Sequence, residues 1–219
     1  MLMLQFYFLL LVALATTANA GAWPRGKGNG FSMTSLQATA HNLADPADYY
    51  FSSYAEFGLT DDITMGGDIG HSVSGASKFI VFLRHPIFTL NDKHHFAFEL
   101  GAGIVANDTV VRPGVSYGSG FSRSSQSGWF AIDILFEHHI TTRSTNFKAD
   151  VTYGINHPRG YKSIYQLQSG KQVGDPNFLR FAPSVAIPIS TSSHLEVGGT
   201  INMIGATNYG LKVGVWKKF

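Results

Sequence analysis

The sequence predicts an all-β fold: an antiparallel up-and-down transmembrane β-barrel of about twelve strands, with ten as the nearest alternative count. Three observations predict it. Leu211, Val213 and Val215 alternate with Lys212, Gly214 and Trp216 up to Phe219, which is a strand with one apolar face. Segments of the same kind recur along the whole chain, most of them about 9–11 residues long, the length with which a tilted strand crosses a bilayer. Along these segments the charged side chains keep to one parity and the large apolar ones to the other. Composition agrees: 24 Gly, 17 Phe and 9 Tyr against 8 Pro favour strands joined by tight turns.

Taken in order, Met1 to Ala20 carries an apolar core (Leu4, Phe6, Phe8 to Val12, Leu14) and then Ala18-Asn19-Ala20, a small-x-small site before Gly21. That pattern is a secretory signal peptide cut after Ala20, and its apolar run is short for a bilayer span. Gly21 to Asn29 (GAWPRGKGN) is a Gly-rich, basic lead-in to the barrel, or it folds into the lumen. Residues 30–219 form the barrel, with strands at 30–38, 49–59, 63–72, 78–87, 94–105, 109–118, 128–139, 145–154, 161–169, 177–189, 194–204 and 209–219. The connectors carry turn chemistry, as in Thr60-Asp61-Asp62, Leu90-Asn91-Asp92, Asn107-Asp108, Ser169-Gly170-Lys171 and Gly174-Asp175-Pro176. An even count puts both termini at one rim. Residues 119–127 then form a long connector at that rim, and 106–108 a short one at the other.

Parity sorts the two faces. Phe79, Val81 and Leu83; Phe96, Phe98 and Leu100; Phe130, Ile132, Ile134 and Phe136; and Leu179, Phe181, Val185 and Ile187 are apolar stripes. The opposite face holds Gly, Ser (Ser184 among them), Ala and the charges: Glu56, Asp68, Glu99, Asp133, Glu137, Asp150 and Glu196 with Arg84, Arg112, Lys148, Lys162, Arg180 and Lys212. On these boundaries Lys217 is the one strand cation on the apolar face. A Lys or Arg facing lipid at mid-membrane costs about 2–4 kcal/mol, which explains the exclusion. The inward set reads either as an ion-pair network that fills a narrow barrel or as the lining of a polar pore. A secreted β-sandwich shares the alternation, but long consecutive strands, a Gly- and Ser-rich polar face and the closing Phe219 favour the barrel.

Chemistry-bearing motifs are sparse. There is no cysteine, hence no thiolate site or disulfide. His94-His95 and His138-His139 are adjacent pairs whose members face opposite sides of a strand, so neither is a two-ligand metal face. His71 and His138 fall on the apolar side near a rim, but no Ser or acid has a spacing that completes a triad with them. Gly26-Lys27-Gly28-Asn29-Gly30 lacks the spacing of a phosphate loop. A net charge of +2 and dispersed basic residues exclude a nucleic-acid surface. No cofactor, catalytic residue or metal site is expected.

The strand–turn–strand unit Tyr54 to Gly66, the Ala18-Asn19-Ala20 site and Leu211 to Phe219 together resemble the small outer-membrane β-barrel proteins of Gram-negative bacteria. The resemblance implies export to the outer membrane, a periplasmic position for the lead-in and contact with outer-membrane lipids and lipopolysaccharide. It also implies recognition of Phe219, Val215, Val213 and Leu211 by the barrel-assembly machinery. Lys217 stands where such ends usually carry an apolar residue. The expected function is a narrow channel, or a structural barrel with a charge-filled lumen. The alternatives are a lipid or lipopolysaccharide hydrolase with a rim His, and a secreted soluble β-sandwich binding module.

Overall fold

A strand in a bilayer must satisfy its backbone polar groups within the protein, and a sheet does so only by closing on itself. The computed structural model, which describes residues 21–42, 44–73, 75–123, 126–205 and 208–219, shows such a closure. The leader expected at Met1–Ala20 lies outside the described residues. Twelve strands follow in order: β1 (Gly30–Ala40), β2 (Asp48–Gly58), β3 (Thr64–Ser72), β4 (Ser77–Leu90), β5 (His94–Val105), β6 (Asp108–Arg123), β7 (Gln126–His139), β8 (Thr145–Asn156), β9 (Lys162–Lys171), β10 (Phe178–Pro188), β11 (Ser193–Ile204) and β12 (Tyr209–Lys218). Each pairs antiparallel with its neighbours in sequence, and β12 pairs with β1 from Phe31↔Lys218 to Ala40↔Tyr209. The seam ends in a reciprocal pair: the Gly30 amide donates to the Phe219 carbonyl at 2.6 Å, and the Phe219 amide donates to the Gly30 carbonyl at 3.1 Å.

The twelve-strand count holds, and several boundaries move. Strands β6 and β7 run on through 119–123 and 126–127, so the long connector expected at 119–127 is mostly hairpin ladder, paired from Gly118↔Ala131 to Arg123↔Gln126. The Gly and Ser residues that looked like a loop keep the alternation: Phe121 points outward and stacks on Tyr153 at 5.4 Å. Connectors at both rims are short, the longest being 41–47. A bulge between Pro86 and Phe88 accommodates the proline, which has no amide to give to the ladder.

The outer wall is apolar. Phe79, Leu83, Leu100, Val115 and Val213 are each between 44% and 52% exposed in the bare protein, far more large apolar surface than a water-facing wall carries. Near the rim that holds the termini, Phe88, Phe96, Tyr117 and Phe130 form a run of ring contacts at 4.5–6.2 Å, an aromatic band. With the longer strands, Arg123 and Lys171 join Lys217 on the outward parity, all three at strand ends. The inward face is more apolar than its sequence parity suggested. Ile80, Phe82, Val110, Trp129 and Ile164 point inward and are buried among the charges.

Candidate functional site: the barrel lumen

The alternation that empties the outer wall of charge stacks that charge inside. Glu56 on β2, Asp68 on β3, Lys78 and Arg84 on β4, Glu99 on β5 and Arg112 on β6 share the inward parity of five adjacent strands. Arg84 reaches Glu56 on one side and Glu99, at 2.7 Å, on the other. Arg112 continues the chain to Glu99 at 2.9 Å and to Asp68 at 2.7 Å, and Lys78 closes on Asp68 at 2.8 Å. Tyr54 adds its hydroxyl to Glu56 and accepts from Arg84 at 3.1 Å. Both guanidinium groups lie over the Phe82 ring, 5.1 and 5.4 Å from its centroid. Glu56, Glu99 and Arg112 are 2% exposed or less, so each charge is desolvated and held by opposite charge on more than one side.

The remaining charges do not join that chain. Glu196 forms its own knot, accepting from Lys212 at 2.6 Å, the Ser184 hydroxyl at 2.7 Å and the Trp216 indole at 2.8 Å. Lys148 pairs with Asp150 at 3.0 Å, and its side chain is half exposed. Asp133 accepts from the Ser116 hydroxyl at 2.6 Å. Lys162 donates to Asn156 at 2.6 Å above the Trp129 ring, and Arg180 donates to Asn202 at 3.0 Å. Glu137 faces the lumen on β7 in register with Asn146. Five of the thirteen charges that parity places inward thus join Lys78 in one buried chain, Glu196 and Lys212 form a buried knot, and the other six stand outside both.

A further element enters from the N-terminal side. Residues 21–29 do not hang below the barrel; of the two positions that the sequence allowed, they take the one inside the lumen. Gly28 and Gly58 tie the segment to the end of β2, the Gly28 amide donating to the Gly58 carbonyl and the Gly58 amide to the Asn29 carbonyl, each at 2.9 Å. Arg25 extends the buried chain, pairing with Glu56 while its amide donates to the Thr64 hydroxyl at 3.1 Å. The segment then crosses the lumen to β5–β7. Ala22 is 1% exposed, and Trp23 packs on His95 and against Gly118, where a Cβ would come within 2.4 Å of the indole. Glycine at 118 therefore makes room for the strap. Sequence periodicity could not find Arg25 or Trp23, because the segment has no strand pattern. A Gly-rich stretch holding one Trp and one Arg, next to a barrel with a charged inner face, was the available signal.

The two halves of the lumen differ. Near the termini it holds the strap, the Glu56–Arg84–Glu99 chain and a cluster of Trp129, Ala131, Ile164 and Ala186 with Trp23 and Trp216 packed against it. Toward the opposite rim the inward side chains of β8–β11 are Asp150, Gln168, Arg180 and Asn202, all half-buried. That half is a polar vestibule, and the other half is packed. Among the described residues, no three His, Cys, Asp or Glu side chains gather as a metal site. His138 is exposed and its Nδ1 pairs with the Thr145 hydroxyl at 3.0 Å, while His71 is exposed on β3.

This architecture defines the class: a twelve-stranded barrel of the outer-membrane type. No family model matches the chain, and no curated protein matches it. Among solved structures it is similar to the KdgM porin, determined alone and in complex with disordered oligogalacturonate. In both comparisons the identity is 9%, the TM-score is 0.60, and the match covers 85% of this chain and 99% of the other. At that identity the likeness is one of fold.

Proposed function

We propose that the protein is an outer-membrane barrel that works as a narrow channel held shut from its N-terminal mouth. The observation that carries this reading is the strap of residues 21–29, which crosses that mouth and is bonded into the lumen's own ion chain through Arg25 and Glu56. The apolar outer wall and the aromatic band suit a bilayer, and the fold likeness to a porin supports a channel. On this reading, with a leader cut after Ala20 and the orientation usual for such barrels, the strap lies on the periplasmic side. The polar vestibule then opens outward, toward the lipopolysaccharide leaflet. Both charge signs interleave along the lumen, so weak ion selectivity is expected. Leu211, Val213 and Val215 on β12, with Phe219 after it, point outward and are 44–71% exposed, the apolar face that the assembly machinery would read before the barrel closes.

Planar-bilayer recording on refolded chain 21–219 tests the channel. The intact chain should show small or rare openings, and removal of 21–28 or Arg25→Ala should raise conductance. Large steady openings that ignore the strap would overturn the gating. Silence in every form would leave a structural barrel. Phe219→Ala should lower the amount assembled in the outer membrane while leaving refolding in detergent intact, and equal loss in both settings would assign Phe219 to stability alone.

A further inference from the structure

We propose that Asp133 and Ser116 form a receptor for the chain's own processed N-terminus: the α-ammonium that cleavage after Ala20 would create on Gly21. The inference rests on that cleavage site, and it adds the group that locks the strap in place. Three observations carry it. The first is proximity. A Cβ on Gly21 would lie 2.2 Å from Asp133 Oδ1 and 3.1 Å from Oδ2. By covalent geometry the Gly21 nitrogen therefore lies within about 5 Å of that carboxylate. The second is charge. Glu56, Asp68, Glu99, Asp150 and Glu196 each have a Lys or Arg within salt-bridge distance. Among the described residues, Asp133 has the Ser116 hydroxyl at 2.6 Å instead. It also stands directly across the β7–β8 ladder from Asp150, a like-charge neighbour on the same face, which is unfavourable unless a cation intervenes. The third is space. Any side chain at position 21 would strike the Asp133 carboxylate, so the terminus can approach it this closely only as glycine.

An uncut chain offers only an amide at this point. Hydrolysis of the Ala20–Gly21 peptide bond by water leaves a carboxylate on Ala20 and an ammonium on Gly21. That ammonium supplies the cation and up to three N–H donors for Asp133. Processing would thus give Asp133 a cation of its own and seat the strap from its far end, while Arg25 holds its near end at Glu56.

The test begins with the intact mass of protein extracted from the outer membrane. A mass corresponding to a start at Gly21 supports the cleavage reading, and any other start removes the latch from the cell whatever the refolded protein does. The receptor itself is tested on refolded chain 21–219, whose N-terminus is fixed by design. Labelling of the α-amine by an amine-reactive ester, read by mass spectrometry of the N-terminal peptide, should be about tenfold slower than in Asp133→Asn, the size of coupling that close charge pairs show. Ser116→Ala should fall between the two and serves if Asp133→Asn refolds poorly. In heat denaturation, one added N-terminal Ala and Asp133→Asn should each lower the midpoint, and together no further than one alone. Equal labelling rates, or additive losses, would overturn the proposal.

Discussion

At the scale of single residues, the lumen separates groups that look alike in sequence. Glu99 and Lys148 both have inward parity, yet Glu99 is 2% exposed between two arginines and Lys148 is half open to the vestibule. Glu99→Ala leaves Arg84 and Arg112 facing each other across a gap. Loss of a partner from a buried pair costs about 3–5 kcal/mol, so urea unfolding of the refolded barrel should shift by that order, and conductance should rise as the gap opens. Lys148→Ala should cost less than about 1 kcal/mol, the usual worth of a solvated pair. Equal effects would mean that the Glu99 chain is wetter than its geometry indicates. The reach between Arg84, Glu99 and Arg112 was legible, because three consecutive strands carry them on one parity. Lys78 opens the strand expected at 78–87 and shares the parity of Arg84, so it was legible in the same way, whereas Arg25 lies outside any strand.

At the scale of the element, parity predicts what a new charge does. Val81→Arg and Ile132→Arg each point a guanidinium at hydrocarbon, with an expected loss of about 2–4 kcal/mol near mid-membrane. Parity alone would make Ser184→Arg a mild control, since Ser184 faces inward. The structure corrects this: Ser184 is 7% exposed, donates to Glu196, and leaves no space for a long side chain. Gln168→Arg is the control that fits, inward and half-buried beside the vestibule. Its folding yield in lipid vesicles should stay near that of the unmodified chain while Val81→Arg and Ile132→Arg fall. Equal loss from all three would contradict the assignment of faces. The β6–β7 hairpin carries the same lesson, since Ser- and Gly-rich residues 119–123 read as loop by composition but as strand by alternation.

At the scale of the whole molecule, a closed ladder has no edge from which to unravel, and every hairpin seals its neighbours. Detergent-extracted protein should therefore keep its fold on unheated gels and migrate differently after boiling, and full recovery in a soluble fraction would contradict membrane insertion. The sequence by itself determined the class, the strand count and the two faces, because period-two alternation and the exclusion of charge from lipid are local rules written residue by residue. Only the tertiary structure decided which inward charges meet, that Phe82, Trp129 and Trp216 fill space among them, and that residues 21–29 turn back into the lumen. Those outcomes depend on register and closure, which bring Glu56 of β2 within reach of Arg84 of β4 and Gly21 beside Asp133 across more than a hundred residues of chain, a distance that no local pattern records.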